Sequence, residues 1–281
     1  MKNLLALMLF FLLFTTSLFA QSSDTLLYKQ VDSTSLYLVV DYPSDFDASK
    51  TYPAIVFFFG GGWNGGNTSH FEQQARYFAE RGMICFRADY RVKSRQGTTP
   101  FESLKDAKSA MRYVREHAEE LHVDPEKIVA SGGSAGGHLA AATALITGYN
   151  EGSDLLYYSS VPNALILFNP VMDNGPGGYG YERVGEAYPS FSPLHNIRAG
   201  APPTILFLGT KDKLIPVETA EYYKVVMDKV GSRCEVLLYE GQGHGFFNYG
   251  NTKYYKETLS AANDFLVSLG YLGKAPEIKI K

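Results

Sequence analysis

A serine between glycines is the first residue in this sequence whose setting suggests chemistry. The segment Gly132–Gly136 reads GGSAG, follows the apolar run Ile128–Ala130 and precedes an alanine-rich run of strong helix formers, His138–Ile146. A Gly-x-Ser-x-Gly turn between a strand and a helix exposes the serine hydroxyl and aims the first free N–H groups of the helix at its target. A tight turn without chemistry fits the same letters, so the rest of the chain must decide.

Two residues further along the chain have the types that a nucleophilic serine requires. A serine hydroxyl needs a base to take its proton, and the base needs an acid to orient it. Asp212 follows the apolar strand Thr204–Gly209, and His244 lies between glycines after the last predicted strand, Cys234–Tyr239. The order predicts Ser134 as nucleophile, Asp212 as acid and His244 as base. A helix-cap carboxylate and a solvated loop histidine are the alternative interpretations.

A second glycine-rich stretch predicts an oxyanion hole, a set of N–H donors aimed at the negative charge that develops on the substrate. The strand Tyr52–Phe59 runs directly into Gly60-Gly61-Gly62. We expect Gly61 and Gly62 to supply donors together with the N–H of Ala135, which follows the nucleophile. A phosphate cradle is the alternative, but the Lys-Ser/Thr of a phosphate loop is missing.

The remaining histidines are interpreted as surface or packing residues: His70, His117, His122, His138 and His195. Among these, only His195, in the irregular segment 170–196, is considered a further candidate for contact with substrate. No cluster with metal-ligand spacing is found, and we expect neither a metal nor another cofactor.

The elements that must position these residues alternate between strands and helices, which predicts a mostly parallel sheet covered on both faces. Thr25–Tyr42 alternates in polarity and predicts an opening antiparallel hairpin. The predicted helices are 70–81, 101–120, 138–146, 217–230 and 254–269, and the other predicted strands are 83–90 and 164–169.

Composition limits the class of protein. The chain has 281 residues and a net charge of −3, which argues against a nucleic-acid partner because such a partner needs a basic face. Residues 1–20 carry one charge, Lys2, and end in small residues, so we predict a secretory signal peptide cleaved before Gln21 and an exported, periplasmic or extracellular protein. A transmembrane anchor is the alternative. The two cysteines, Cys85 and Cys234, are predicted to be buried free thiols.

Taken together, these motifs resemble the α/β-hydrolase superfamily, in the hormone-sensitive-lipase-like and carbohydrate-esterase-like branch of secreted esterases, which includes acetyl xylan and feruloyl types. The resemblance implies a single catalytic domain over residues 21–281, with an eight-stranded sheet in the order 1-2-4-3-5-6-7-8 and strand 2 antiparallel. One departure is Phe59, which stands where this branch usually has a histidine that braces the glycine loop.

The predicted activity is hydrolysis of carboxylic esters by a serine nucleophile, with removal of a small acyl group, acetyl above all, from carbohydrate. Trp63, Tyr179 and Tyr181 are predicted to lie exposed near the site, where their rings could stack on a sugar. The partner would be a small-molecule or polysaccharide ester, with no stable membrane anchor. A general short-chain carboxylesterase, an exopeptidase of the prolyl-oligopeptidase type and a non-catalytic binding module are the alternatives.

Overall fold

The computed structural model describes residues 23–274, and an eight-stranded sheet forms the centre of this part of the chain. The strands are β1 Ser23–Val31, β2 Thr34–Asp41, β3 Tyr52–Phe58, β4 Ile84–Ala88, β5 Val123–Gly133, β6 Ala164–Phe168, β7 Thr204–Gly209 and β8 Cys234–Tyr239. Their order is β1-β2-β4-β3-β5-β6-β7-β8, with β2 antiparallel to β1 and to β4 and all other pairs parallel. The predicted fold class and strand order are therefore confirmed.

Helices cover both faces of the sheet. They are α1 Glu72–Glu80, α2 Lys93–Gln96, α3 Pro100–Glu116, α4 Ala135–Leu145, α5 Tyr181–Val184, α6 Tyr188–Phe191, α7 Val217–Lys229 and α8 Thr252–Ser268, with short 3₁₀ turns at Thr68–Phe71, Gly185–Ala187 and Pro193–Asn196. Successive residues of β3 enter two different cores: Val56 belongs to the core that includes residues of α3, α4 and α7, and Ile55 to the core that includes residues of α1 and α8. Because both faces are covered, β3 and β6 are apolar along their whole length, whereas β4 carries the buried Arg87, which pairs with Asp41 of β2.

The boundaries near the serine differ from the predicted ones. β5 runs from Val123 to Gly133, longer than the predicted strand, and α4 begins at Ala135, three residues before the predicted start at His138. Gly136 and Gly137 are poor helix formers, which is why the sequence pattern excludes them. Packing overrides that preference, because a Cβ on Gly136 would lie 2.1 Å from the carbonyl oxygen of Phe58 in β3.

A buried ion pair holds the β1 edge of the sheet. The Nζ of Lys29 in β1 lies 2.7 Å from Oδ1 of Asp106 in α3, and both side chains are almost fully buried. The guanidinium of Arg91, after β4, reaches the same carboxylate at 2.7 Å. Glu151 also contacts both cations, at 3.0 Å from Lys29 and 3.2 Å from Arg91, so a network of two cations and two carboxylates joins the first strand to the helical layer.

Cys85 and Cys234 are both buried and free, as predicted, and the strands that carry them, β4 and β8, are not neighbours in the sheet. The predicted signal peptide, residues 1–20, lies outside the described residues. Between Ser23 and Lys274 no helix is long and apolar enough to cross a membrane.

Candidate active site

Ser134 stands at the turn between β5 and α4 in a conformation that few residues other than glycine adopt. Its φ is 56° and its ψ is −121°. Two backbone hydrogen bonds tie the turn to the end of β6: Ser134 N donates to Phe168 O at 3.0 Å, and Val171 N donates to Ser134 O at 3.2 Å. The strain is therefore held by the surrounding sheet, which is the usual condition for such a conformation at a functional position.

The structure brings Ser134, His244 and Asp212 into one line of hydrogen bonds. Ser134 Oγ lies 2.9 Å from Nε2 of His244, and Nδ1 of His244 lies 2.7 Å from Oδ2 of Asp212. The Asp212 side chain is fully buried, and one quarter of the His244 side chain is exposed. Because a carboxylate can only accept, Nδ1 carries the proton and Nε2 is free to accept the serine proton.

Asp212 also acts as a cap for the chain that follows it. Its Oδ1 accepts hydrogen bonds from the N–H groups of Leu214 at 2.8 Å and Ile215 at 3.0 Å. The alternative interpretation of this residue, a capping carboxylate, is thus also correct in part. One oxygen fixes the carboxylate to the backbone, and the other faces the histidine.

The three residues predicted to form the oxyanion hole lie beside Ser134 in the chain or in the same cavity: Gly61 and Gly62 line the cavity that contains Ser134, and Ala135 follows Ser134 directly. None of their N–H groups donates to an acceptor within residues 23–274. Gly61 has a φ of +127° and Gly62 a φ of +62°, and a Cβ on Gly61 would lie 2.3 Å from Gly65 O. The loop therefore requires glycine, and it leaves its donors unpaired at the mouth of the site.

Asn169, the first residue after β6, was not singled out from the sequence. Its side-chain Nδ2 lies 3.2 Å from Nε2 and 3.3 Å from Nδ1 of His244, and its Oδ1 is buried without a partner in the described chain. The available signal was its position, since β6 neighbours the serine strand and its carboxyl end must open onto the site.

His70 was predicted to be a surface or packing residue, yet it lies at the wall of the same site. Its Nδ1 is 2.9 Å from the N–H of Gly60, and its Nε2 is 2.9 Å from Oδ1 of Asn248. Burial lowers the pKa of His70, and the nearby His244 lowers it further.

The predicted aromatic contacts behave differently from one another. Tyr179 lines the cavity at Ser134. Its hydroxyl packs against Gly62, at 2.6 Å from the position that a Cβ on that glycine would occupy. Tyr181 lies on α5, where its hydroxyl pairs with Glu186 at 2.5 Å. The prediction that Trp63 offers an exposed ring is wrong: it is 1% exposed, because the rings of His138, Tyr179 and Phe191 and the guanidinium of Arg183 pack around it.

The imidazole rings of His138 and His195 contact groups other than Ser134, although the backbone N–H of His138 donates to Ser134 O at 3.0 Å. His138 is fully buried in α4, where its Nε2 donates to Phe191 O at 3.0 Å, and burial lowers the pKa of its imidazole to about 3. His195 lies 3.8 Å from Asp173. Neither lines the cavity at Ser134.

The cavity at Ser134 has a volume of about 230 Å³. A second cavity of about 270 Å³ shares the walls formed by Tyr179 and Leu214. Both are small beside the 300–1,000 Å³ typical of sites for drug-sized ligands. The first is lined by Gly60, Gly61, Gly62, His70, Ser134, Asn169, Tyr179, Leu214, His244, Gly245, Phe247 and Asn248. Among residues 23–274, no cluster of three or more histidine, cysteine or acidic side chains could hold a metal ion.

Known proteins are similar to this chain in sequence and in fold. The BD-FAE family model matches residues 40–173, which contain the glycine loop and the Ser134 turn. The structure of esterase 2 from Thermogutta terrifontis, phosphorylated by paraoxon, superposes with a TM-score of 0.86 at 46% sequence identity, covering 90% of this chain and 96% of that one. The same esterase with butyrate bound gives a TM-score of 0.86 at 44% identity, covering 90% and 96%.

Two curated relatives are similar over most of this chain. A probable isoprenylcysteine alpha-carbonyl methylesterase of Arabidopsis thaliana is 31% identical over 68% of this chain, and an acetylxylan esterase of Xylanibacter ruminicola is 28% identical over 77%. This chain spans about half the length of these two relatives, 45% of each. The chain belongs to the α/β-hydrolase superfamily, in the hormone-sensitive-lipase-like branch of esterases.

Proposed function

We propose that this protein is a serine carboxylic-ester hydrolase that removes short acyl groups. The observation that carries the proposal is the line of hydrogen bonds from Asp212 through His244 to Ser134, beside three N–H groups that lack an acceptor. Membership of an esterase branch supports the same activity.

The first half of the reaction follows from the tautomer of His244. Ser134 Oγ attacks the ester carbonyl carbon as its proton passes to Nε2 of His244, and the carbonyl oxygen becomes an oxyanion that the N–H groups of Gly61, Gly62 and Ala135 receive. The tetrahedral intermediate then collapses. The bond to the alcohol oxygen breaks, His244 returns its proton to that oxygen, and an acyl group remains on Ser134.

Water completes the cycle on the same groups. His244 takes a proton from a water molecule, whose oxygen attacks the acyl carbon, and the oxyanion is again stabilised by the three N–H groups. Collapse releases the carboxylic acid and returns the proton to Ser134 Oγ. Asp212 keeps its negative charge throughout and stabilises the imidazolium that forms twice in each cycle.

The size of the acyl group is the second part of the proposal. A cavity of about 230 Å³ has room for a short acyl chain beside the alcohol, and the similar Thermogutta esterase was solved with butyrate bound. We expect rates to fall steeply from acetyl and butyryl to octanoyl esters, since the methylenes that a cavity of this size cannot hold contribute no further binding in the transition state.

Acetylated carbohydrate is the substrate class that we propose. Similarity to an acetylxylan esterase over 77% of this chain supports it, as does the predicted export of residues 21–281 as one catalytic domain after cleavage at Ala20. Because Trp63 is buried, Tyr179 and the adjoining cavity would provide the contact with the sugar. A short-chain carboxylesterase without a preference for sugars is the second candidate, favoured by the small aromatic surface that remains.

The nucleophile is tested with paraoxon, which transfers its diethylphosphoryl group to an activated serine and releases 4-nitrophenol. We expect one phosphoryl group per chain, located on Ser134 by mass spectrometry, and no labelling of Ser134→Ala. Hydrolysis by Ser134→Ala should fall by several orders of magnitude. Labelling at another residue, or activity retained in Ser134→Ala, would contradict the assignment.

The substrate class is tested with a panel that pairs acetylated xylo-oligosaccharides with simple alkyl acetates and with butyryl and octanoyl esters. A higher kcat/KM for the acetylated sugars, reduced in Tyr179→Ala but unchanged for alkyl acetates, would support the carbohydrate proposal. Equal kcat/KM values for sugar acetates and alkyl acetates would favour the second candidate, a short-chain carboxylesterase without a preference for sugars. A preference for octanoyl esters would contradict both.

A further inference from the structure

His70 connects the two loops that hold the opposite halves of the proposed machinery. On one side its Nδ1 lies 2.9 Å from the N–H of Gly60, the first glycine of the oxyanion loop. On the other side its Nε2 lies 2.9 Å from Oδ1 of Asn248. Asn248 belongs to the loop that carries the base, since its own N–H donates to Gly245 O at 3.1 Å and Gly245 follows His244.

The donors and acceptors determine the state of the His70 ring. The N–H of Gly60 can only donate, so Nδ1 must be unprotonated, and Nε2 therefore carries the proton that goes to Oδ1 of Asn248. Both nitrogens are occupied by protein groups, and no carboxylate faces the ring in the contacts of the described chain. His70 thus lines the cavity at Ser134 without competing with His244 for the serine proton.

Packing leaves the ring little freedom. It lies against the rings of Phe71 and Phe247, with centroids 4.7 Å and 5.9 Å away. A Cβ on Gly60 would lie 3.2 Å from Cε1 of His70. A ring held this closely fixes the direction of the Gly60 N–H and with it the peptide planes that follow.

Phe59 explains why the loop needs such a contact in this chain. In place of the histidine that usually precedes the three glycines, the ring of Phe59 is buried and stacks on Tyr90 with centroids 3.9 Å apart. The Tyr90 hydroxyl donates to Phe59 O at 2.6 Å. These contacts anchor the residue before the glycines, but they make no bond to the glycines themselves, whereas His70 does.

We propose that His70 is a positioning residue that fixes the glycine loop relative to the loop of His244, so that the oxyanion donors and the base stay in register with Ser134. This inference rests on the proposed function. A shift of about 1 Å in such donors is expected to cost on the order of 100-fold in rate, because they act on the charge that develops in the transition state.

Two conservative variants separate the two hydrogen bonds of His70. Asparagine places Oδ1 where the histidine has Nδ1, so His70→Asn keeps the acceptor for Gly60 and loses the reach to Asn248. Glutamine places its Nε2 near the position of the histidine Nε2, so His70→Gln keeps the donor to Asn248 and loses the acceptor for Gly60. His70→Ala removes both bonds.

The experiment measures kcat and KM of acetyl ester hydrolysis for these variants, together with melting temperature and paraoxon labelling of Ser134. We expect His70→Ala to lower kcat by about 10- to 100-fold with KM within threefold, since the donors act in the transition state. His70→Asn should recover most of the loss, and His70→Gln should not. His117→Ala, in a histidine remote from the site, should leave kcat unchanged and serves as the control.

Three outcomes would overturn the inference. They are a kcat of wild-type value in His70→Ala, an equal loss in His70→Asn and His70→Gln, and a loss that follows the fraction of unfolded protein. Each can occur while wild-type protein is labelled at Ser134 and hydrolyses esters, so failure of the His70 inference is distinguishable from failure of the proposed function. The latter would show as activity that survives in Ser134→Ala.

Discussion

The two carboxylate oxygens of Asp212 have different roles, and the substitution of one oxygen by an NH₂ group in Asp212→Asn separates them. Its Oδ1 holds the N–H groups of Leu214 and Ile215, and its Oδ2 faces His244. In Asp212→Asn the remaining oxygen can keep the backbone contacts while the new NH₂ group faces Nδ1 of His244. The imidazole would then take the other tautomer, with its proton on Nε2, and could no longer accept from Ser134.

We therefore expect Asp212→Asn to fold with a normal melting temperature and to lower kcat by up to about 10⁴-fold. Asp228→Asn is the matched control, because Asp228 is a half-exposed carboxylate that pairs with Lys224 on α7, and its loss should leave kcat unchanged. Activity of Asp212→Asn within tenfold of the wild type would leave this residue as a cap alone.

At the scale of elements, the turn between β5 and α4 depends on glycines that no other residue can replace. A Cβ on Gly132 would lie 2.3 Å from Gly136 O, so the strand and the helix could not approach as they do. We expect Gly132→Ala to lower the free energy of unfolding by more than about 2 kcal/mol. Gly148→Ala, with nothing within 4 Å of the new Cβ, should change it by less than about 0.5 kcal/mol. Urea denaturation measures both, and equal midpoints would contradict this account.

The elements also explain which parts of the site could be predicted. Ser134, Asp212 and His244 each follow a strand, and a parallel sheet brings the carboxyl ends of its strands to one edge, so chain order sufficed to place them. Tyr179 was identified for a similar reason, as part of the segment after β6. The fold class followed from strands alternating with helices.

Trp63 and His70 could not be placed in this way. The burial of Trp63 depends on Tyr179, Arg183 and Phe191, which come from a segment of short turns without a hydrophobic period. The role of His70 depends on how residues 61–69 turn back on Gly60, and that turn is set by three consecutive positive φ angles at Gly61, Gly62 and Trp63. Periodicity reports which face of an element is buried, and it carries no information about such a loop.

At the scale of the whole molecule, a buried histidine links stability to pH. His138 stays neutral in the folded protein because burial lowers the pKa of its imidazole to about 3, whereas the unfolded chain binds a proton near pH 6.5. Above pH 6.5 the imidazole is neutral in both states, and His138 does not reduce the free energy of unfolding. Between pH 6.5 and 3 only the unfolded chain binds the proton, so the free energy of unfolding falls as the pH drops. The slope is about 1.4 kcal/mol per pH unit.

The measurement is the free energy of unfolding in urea between pH 7 and pH 4.5. We expect the wild type to lose stability over this range and His138→Leu to show a shallower slope, although it begins from a lower value because Phe191 O loses its donor. The lowered pKa of His70 acts in the same direction and contributes to the slope that remains. Parallel curves for the two proteins would show that His138 is not the group responsible.

The two edge strands of the sheet differ in how strongly they are bound to the rest of the protein, so they should unfold at different temperatures. β1 is bound to α3 by the buried pair of Lys29 and Asp106, whereas β8, whose one strand partner within residues 23–274 is β7, is partly exposed along most of its length and leads directly to His244. Local opening begins where the fewest apolar contacts must be broken. Esterase activity should therefore be lost at a lower temperature than far-UV ellipticity. It should return on cooling from temperatures at which the centre of the sheet, which holds Ser134, is still folded.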